Sequence, residues 1–221
     1  MAGTQKEKRV LSKVRFEIEP EKTALIIVDM QNSFLLPGSP GETPDGLKII
    51  PNIRRLADAC RSNKIPVIYI RHILRRDGSD MGILRDIFGD LRKNDGIIEG
   101  SKGSEIHSDL APKVGDILVK KLRFSGFQGT ELEAILRSLG VDTVMITGVT
   151  TETCCETTAR DAMHREFKMI FVSDATAAHD FPDIGFGPVS HEEVQKVTCT
   201  ILGTKFGMVA RTEELLETIQ K

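Results

Sequence analysis

A three-layer α/β fold, with a central, mostly parallel sheet and helices on both faces, follows from two features of the sequence. Short β-rich runs alternate with stretches whose apolar residues recur at helical spacing. The first of those runs is apolar throughout instead of alternating, as strands buried on both faces are. No repeat and no Pro- or Gly-rich linker divides the 221 residues. One domain over 21–221 is therefore expected, preceded by an arm over 1–20, since a single core grows comfortably to roughly 250 residues.

The elements follow in order. Thr23-Ala-Leu-Ile-Ile-Val-Asp29 is a continuous apolar run with a polar end, a buried strand. Leu47 to Asn63 carries Ile50, Ile53, Leu56, Ala57 and Cys60 at helical spacing. Pro66 to Arg71 and Asp116 to Lys120 supply the second and third strands. Thr130 with Glu133 three residues on predicts a capping box. The helix behind it has Leu132, Ile135, Leu136 and Leu139 on one face, and Gly140 is a fitting stop. Val141 to Thr147 is a fourth strand, Thr153 to Glu166 a helix, and Lys168 to Ser173 a fifth strand. Ser190 and Glu193 form a second capping box before a helix reaching about Leu202. Phe206 to Ala210 is a short sixth strand, and Thr212 caps the last helix. Right-handed crossovers between parallel strands give a Rossmann-like arrangement.

Composition narrows the function. Net charge is −2 with 28% charged and 40% hydrophobic residues, an ordinary globular balance without the basic excess that nucleic acid demands. The basic N-terminus lacks an apolar core, so it is no secretory signal. The longest apolar run, Ala24 to Val28, is far below the roughly 20 residues of a membrane span. A cytoplasmic protein acting on a small molecule is expected, with neither nucleic acid nor membrane as partner. Cys60, Cys154, Cys155 and Cys199 form no CxxC and no zinc spacing, which points to reduced thiols. No GxGxxG follows the first strand, as nicotinamide-cofactor binding would require, and no cofactor is expected.

Parallel sheets hold their sites at the carboxyl ends of strands, so reactive residues just past strands are the candidates. Asp29 ends the first strand; a partly desolvated carboxylate there is a base held near working pH, or a turn cap. Lys120 and Lys121 end the third, pointing to opposite faces; periodicity does not choose between them, and a solvated edge pair is the plain alternative. Cys154 falls in the first turn of a helix after the fourth strand. There the free N–H groups and a nearby cation would lower the thiol pKa and hold an oxyanion; simple packing is the alternative.

Taken in order, Asp29-Met-Gln-Asn, Lys121-Leu-Arg-Phe-Ser-Gly-Phe-Gln-Gly-Thr130, Gly148-Val-Thr-Thr-Glu-Thr-Cys154 and Thr157-Thr-Ala-Arg-Asp-Ala162 resemble the isochorismatase-like cysteine hydrolases, from about Lys22 to about Ala210. The resemblance implies Cys154 as nucleophile, Asp29 as proton shuttle and Lys121, not Lys120, as the catalytic cation. It implies a cis peptide at Val149–Thr150 and an oxyanion hole from the Thr150 and Cys154 N–H groups, with Cys155 as packing. The reaction implied is hydrolysis of a small amide, carbamoyl or ureido compound through a thioester.

Asn32, Phe34 and Phe127 are the substrate contacts implied, and Arg75, Arg76 and His72 lie on a loop that could reach a substrate carboxylate. One His after the second strand, where the nicotinamidase branch has a cluster, implies no metal. Glu152 and Thr153 stand where the family commonly has Asn and an apolar residue, which alters the pocket rim. Relatives imply a homodimer or homotetramer. Two rival readings remain. One is vinyl-ether hydrolysis of isochorismate, for which the acid alone can suffice. The other is a thiol redox sensor using the adjacent Cys154 and Cys155.

Overall fold

The computed structural model describes residues 14–94 and 96–219; most of the arm expected over 1–20 lies outside the described residues. Six strands form one sheet: β1 (Thr23–Val28), β2 (Val67–His72), β3 (Ile117–Lys121), β4 (Thr143–Val149), β5 (Lys168–Ala177) and β6 (Met208–Ala210). Their order is β3-β2-β1-β4-β5-β6, and all five neighbouring pairs are parallel. Every residue of β1 and β4 is buried, the physical reason the first of them reads as a continuous apolar run.

The pleat divides the core in two. Leu25 and Ile27 face α2 (Ile50–Ser62) and α7 (Thr212–Ile219), whose Ile53, Leu56, Leu215 and Leu216 complete that layer. Ala24, Ile26 and Val28 face α4 (Leu132–Ser138), α5 (Glu156–His164) and α6 (His191–Lys205), which contribute Leu132, Leu136, Ala159, Ala162 and Leu202. Strand order reverses between β1 and β4, and the two strands leave a crevice at their carboxyl ends, where open α/β sheets bind ligands.

Local signals hold in part. Ser190 accepts from the Glu193 N–H and Glu193 reaches back to the Ser190 N–H, the expected capping box. The box expected at Thr130 does not form. Thr130 Oγ1 accepts from the Leu132 N–H at 3.2 Å, and Glu133 turns instead to Arg165 at 3.1 Å, an ion pair no local rule contains. Before α5, the expected helix from Thr153 is replaced by a wider π-type turn over Thr151–Cys155. Strand β5 runs on to Ala177, past the expected end at Ser173, because a register shift beyond Ile146 lets Gly148 and Val149 pair with Thr176 and Ala177.

Gly148 permits this. Its φ is +112°, and a Cβ there would overlap the backbone of Val28 on the adjacent strand. Gly148→Ala should therefore lower stability by about 2 kcal/mol or more, read as a drop in thermal midpoint, and should disturb the turn that follows.

Candidate active site

Three buried polar side chains meet where β1, β3 and β4 end. Asp29 follows β1 with φ +50°, a left-handed backbone that a non-glycine residue adopts at a cost and that recurs at functional sites. Its N–H donates to the Ile70 carbonyl at 2.9 Å, tying it to β2. Gln31, two residues on, is wholly buried and accepts the His72 N–H at 2.8 Å while donating to the His72 and Ser104 carbonyls. This bridge locks the turn carrying Asp29 against the end of β2.

Lys121 shares its strand face with buried Val119, whereas Lys120 turns to the surface and lies 3.6 Å from Glu99. The structure thus makes the choice that the dipeptide left open. Lys121 Nζ lies 2.7 Å from Asp29 Oδ2. It also donates to the Arg123 and Phe124 carbonyls and to Cys154 Sγ, at 3.1, 3.0 and 3.1 Å. Among the described residues neither Asp29 oxygen accepts an aligned hydrogen bond, so the lysine contact acts chiefly through charge.

Cys154 sits in the turn after β4, past a cis Val149–Thr150 peptide. Thr158, one turn into α5, holds it: its hydroxyl donates to the Cys154 carbonyl at 2.6 Å and accepts the Gly126 N–H at 2.9 Å. Asp161 accepts the Ser125 hydroxyl at 2.5 Å, and Ser125 Oγ accepts the Phe127 N–H. The Thr157-Thr-Ala-Arg-Asp-Ala162 motif is thereby explained. It clamps the loop after Lys121 onto the turn of the cysteine. Cys155 faces away, its thiol 3.8 Å from the Thr147 carbonyl inside the core.

Burial dominates the electrostatics. It pushes the Asp29 carboxyl above its ordinary range, with Lys121 pulling partway back. It works against the Lys121 ammonium, but Asp29 and then Cys154 outweigh it and raise the lysine pKa. The Cys154 thiol is pushed up to about 12 by burial, opposed by Lys121 and aided by Asp29. This corrects the expectation of a thiol acidified by a helix terminus. A largely buried sulfur beside a carboxylate keeps its proton until a base takes it.

His72 completes the group. A ring nitrogen of His72, a carboxylate oxygen of Asp29 and Cys154 Sγ lie within 4.8 Å of one another. Burial and then Lys121 press the imidazole pKa well below its ordinary value, so it stays neutral. These are the residues among those described that could ligate a cation. The Lys121 ammonium already touches two of them, and an entering ion would have to displace it.

A cavity of about 340 Å³ opens over Cys154. Phe34 and His72 line it, as do Thr150 and Cys154. Asn32 and Phe127, both expected as contacts, do not. The Asn32 amide donates to the Lys102 carbonyl at 2.9 Å, and Phe127 stacks on Phe167 within the core. Arg75 and Arg76 are exposed and line no part of it. In their place come Leu84, Phe88, Phe124, Phe181 and His179, from segments distant in sequence that no local pattern marked.

Fold and site together define a hydrolase built on a parallel α/β sheet. The Isochorismatase domain family matches residues 23–200. Nicotinamidase 3 of Arabidopsis thaliana is 36% identical over 156 residues, 70% of this chain and 72% of its own length. Ureidoacrylate amidohydrolase RutB of Agrobacterium fabrum is 30% identical over 221 residues, 92% of each chain. A cysteine hydrolase from Pseudomonas syringae pv. phaseolicola superimposes with a TM-score of 0.91 at 42% identity, covering 94% of this chain and 96% of the other. The chain belongs to the isochorismatase family of hydrolases.

The clamp makes a prediction of its own. Thr158→Val keeps the shape of the side chain but orphans the buried Gly126 N–H. It should cost about 1–3 kcal/mol of stability by thermal unfolding, and should lower turnover by letting Lys121 and Cys154 drift apart.

Proposed function

We propose that this hydrolase cleaves the C–N bond of a small amide, carbamoyl or ureido compound through a thioester on Cys154. The observation that carries this is the contact of Lys121 Nζ with both Asp29 Oδ2 and Cys154 Sγ at the base of the cavity. Amide-cleaving relatives support the same reaction class.

The steps follow from the charges. As the substrate carbonyl approaches, Asp29 accepts the Cys154 thiol proton and the sulfur attacks the carbonyl carbon. Lys121 offsets the negative charge on sulfur. The carbonyl oxygen becomes an oxyanion facing the Thr150 and Cys154 N–H groups, each such donor contributing roughly 2.7–4 kcal/mol in a comparable site. Asp29 returns its proton to the departing nitrogen, the C–N bond breaks and ammonia or an amine leaves. Water, deprotonated by Asp29, then attacks the thioester. The acid departs and Asp29 hands the proton back to the sulfur. This is nucleophile, base and orienting charge in one cluster. Cys155, sealed in the core, has no part in it.

Ammonia release from a panel of small amides and ureides tests this. Cys154→Ala should abolish turnover while Cys155→Ala retains it; the reverse would assign the nucleophile to the wrong thiol. Retained turnover in both would remove the thioester route.

The pH profile supplies a second check. Asp29 works as a carboxylate and its pKa is raised above 3.8. Activity should therefore be present at higher pH and lost as pH falls, with the acid limb of kcat/KM above that value. An acid limb at or below an ordinary carboxylate pKa would count against Asp29 as the base.

A further inference from the structure

The walls of the cavity identify what kind of amide fits, an inference that rests on the amidohydrolase reading. Its lining is mostly apolar and includes Phe34, Leu84, Phe88, Ile97, Phe124 and Phe181. No lysine or arginine lines it among the described residues. Lys121 lies beneath, fully buried and already engaged with Asp29, Cys154 and two carbonyls. The loop arginines that might have met a substrate carboxylate, Arg75 and Arg76, stand outside.

Among the described residues Glu152, two before Cys154, is the one acid on the wall. Its side chain is only 11% exposed. Oε1 lies 3.4 Å from His179 Nδ1 and accepts the Thr153 hydroxyl at 3.4 Å. Oε2 is buried with no hydrogen-bond partner, so the carboxylate is only half answered by its neighbours. Glu152 raises the His179 pKa, and the charge that His179 carries is spent on that carboxylate. Its Nδ1 faces Glu152, and its Nε2 is held between the Gly41 carbonyl at 3.2 Å and Thr43 Oγ1 at 3.3 Å. His72, the other imidazole on the wall, is neutral and carries no charge to offer.

A carboxylate entering this space would shed its hydration against aromatic rings, find no unengaged cation among the described residues, and approach the unpartnered oxygen of Glu152, whose other oxygen is paired with His179, in a low-dielectric setting. An uncharged apolar compound would lose little hydration and bury hydrocarbon. We propose that the pocket selects an uncharged amide with an apolar body, excludes amides that carry a carboxylate, and owes that exclusion to Glu152 together with the apolar walls. Glu152 is thus a specificity residue beside the catalytic group.

Two readouts test this, one of them independent of hydrolysis. The first is ammonia release from matched pairs, benzamide against 4-carbamoylbenzoate and hexanamide against the monoamide of adipic acid. The second is alkylation of Cys154 by iodoacetamide against iodoacetate, located by fragment mass. In both reagents sulfur displaces iodide and the thiol proton goes to Asp29 or solvent, so only the charge differs.

The neutral member of each amide pair should lead by about 100-fold in kcat/KM, the scale of like-charge exclusion at a desolvated site. The preference of Cys154 for iodoacetamide should exceed that of free glutathione by about tenfold or more. Glu152→Gln should narrow both ratios several-fold, chiefly through KM for the anion. Equal or faster reaction of the carboxylate compounds would overturn the proposal. Unchanged ratios in folded Glu152→Gln would overturn the role of Glu152. Should the variant not fold, the wild-type ratios still decide the pocket's preference. If no amide is cleaved while the alkylation preference holds, the amidohydrolase reading falls and the charge selectivity of the pocket stands.

Discussion

The contact between Lys121 and Asp29 is the constraint around which the carboxyl edge of the sheet is organised. Both side chains are completely buried. Two charges in such a place are tolerable only together, because removing either leaves the other uncompensated, at a cost of about 3–5 kcal/mol in comparable buried pairs. Their meeting requires that β1 and β3, separated by β2, end close together, and the parallel registers through β2 provide this by setting Val28 level with Ile70 and Ile70 level with Val119. The Gln31 bridge to β2 and the two carbonyls that accept from Lys121 then leave each group little freedom.

Cys154, the proposed nucleophile, is fastened to that pair by a second set of bonds. Thr158 and Asp161 project from α5 and hold the loop after β3, while Thr151 donates to Gln195 on α6 at 2.5 Å. The turn bearing Cys154 is therefore fixed from both neighbouring helices. Sub-ångström placement of a thiol beside a base depends on such supporting bonds more than on the identity of the three reactive groups.

The same dryness that raises the Asp29 and Cys154 pKa values shapes the cavity. Keeping water out makes the thiol a poor acid at rest and the carboxylate a better base. It also means that a substrate would meet aromatic walls with, among the described residues, one acid paired to His179 and no free cation. The proposed reactivity and the proposed selectivity share one physical origin, the low dielectric at the strand ends.

The sequence by itself determined the layers, the strand count and the positions of Asp29 and Cys154 just beyond strand ends. Burial on both faces leaves uninterrupted apolar runs, and parallel sheets direct function to one edge. The family resemblance carried by the four motifs extended this to Lys121, which periodicity alone left level with Lys120. Tertiary structure decided the rest. Thr130 lost its capping box because Glu133 found Arg165 across the fold. Phe127 turned to the core and Asn32 to a backbone carbonyl, while Phe88, Phe124, Phe181 and His179 came together around the cavity. Charge at the site was also decided there. Whether a thiol is acidified by a lysine or silenced by burial depends on how completely water is excluded, and that exclusion arises only when segments far apart in sequence close over the same few atoms.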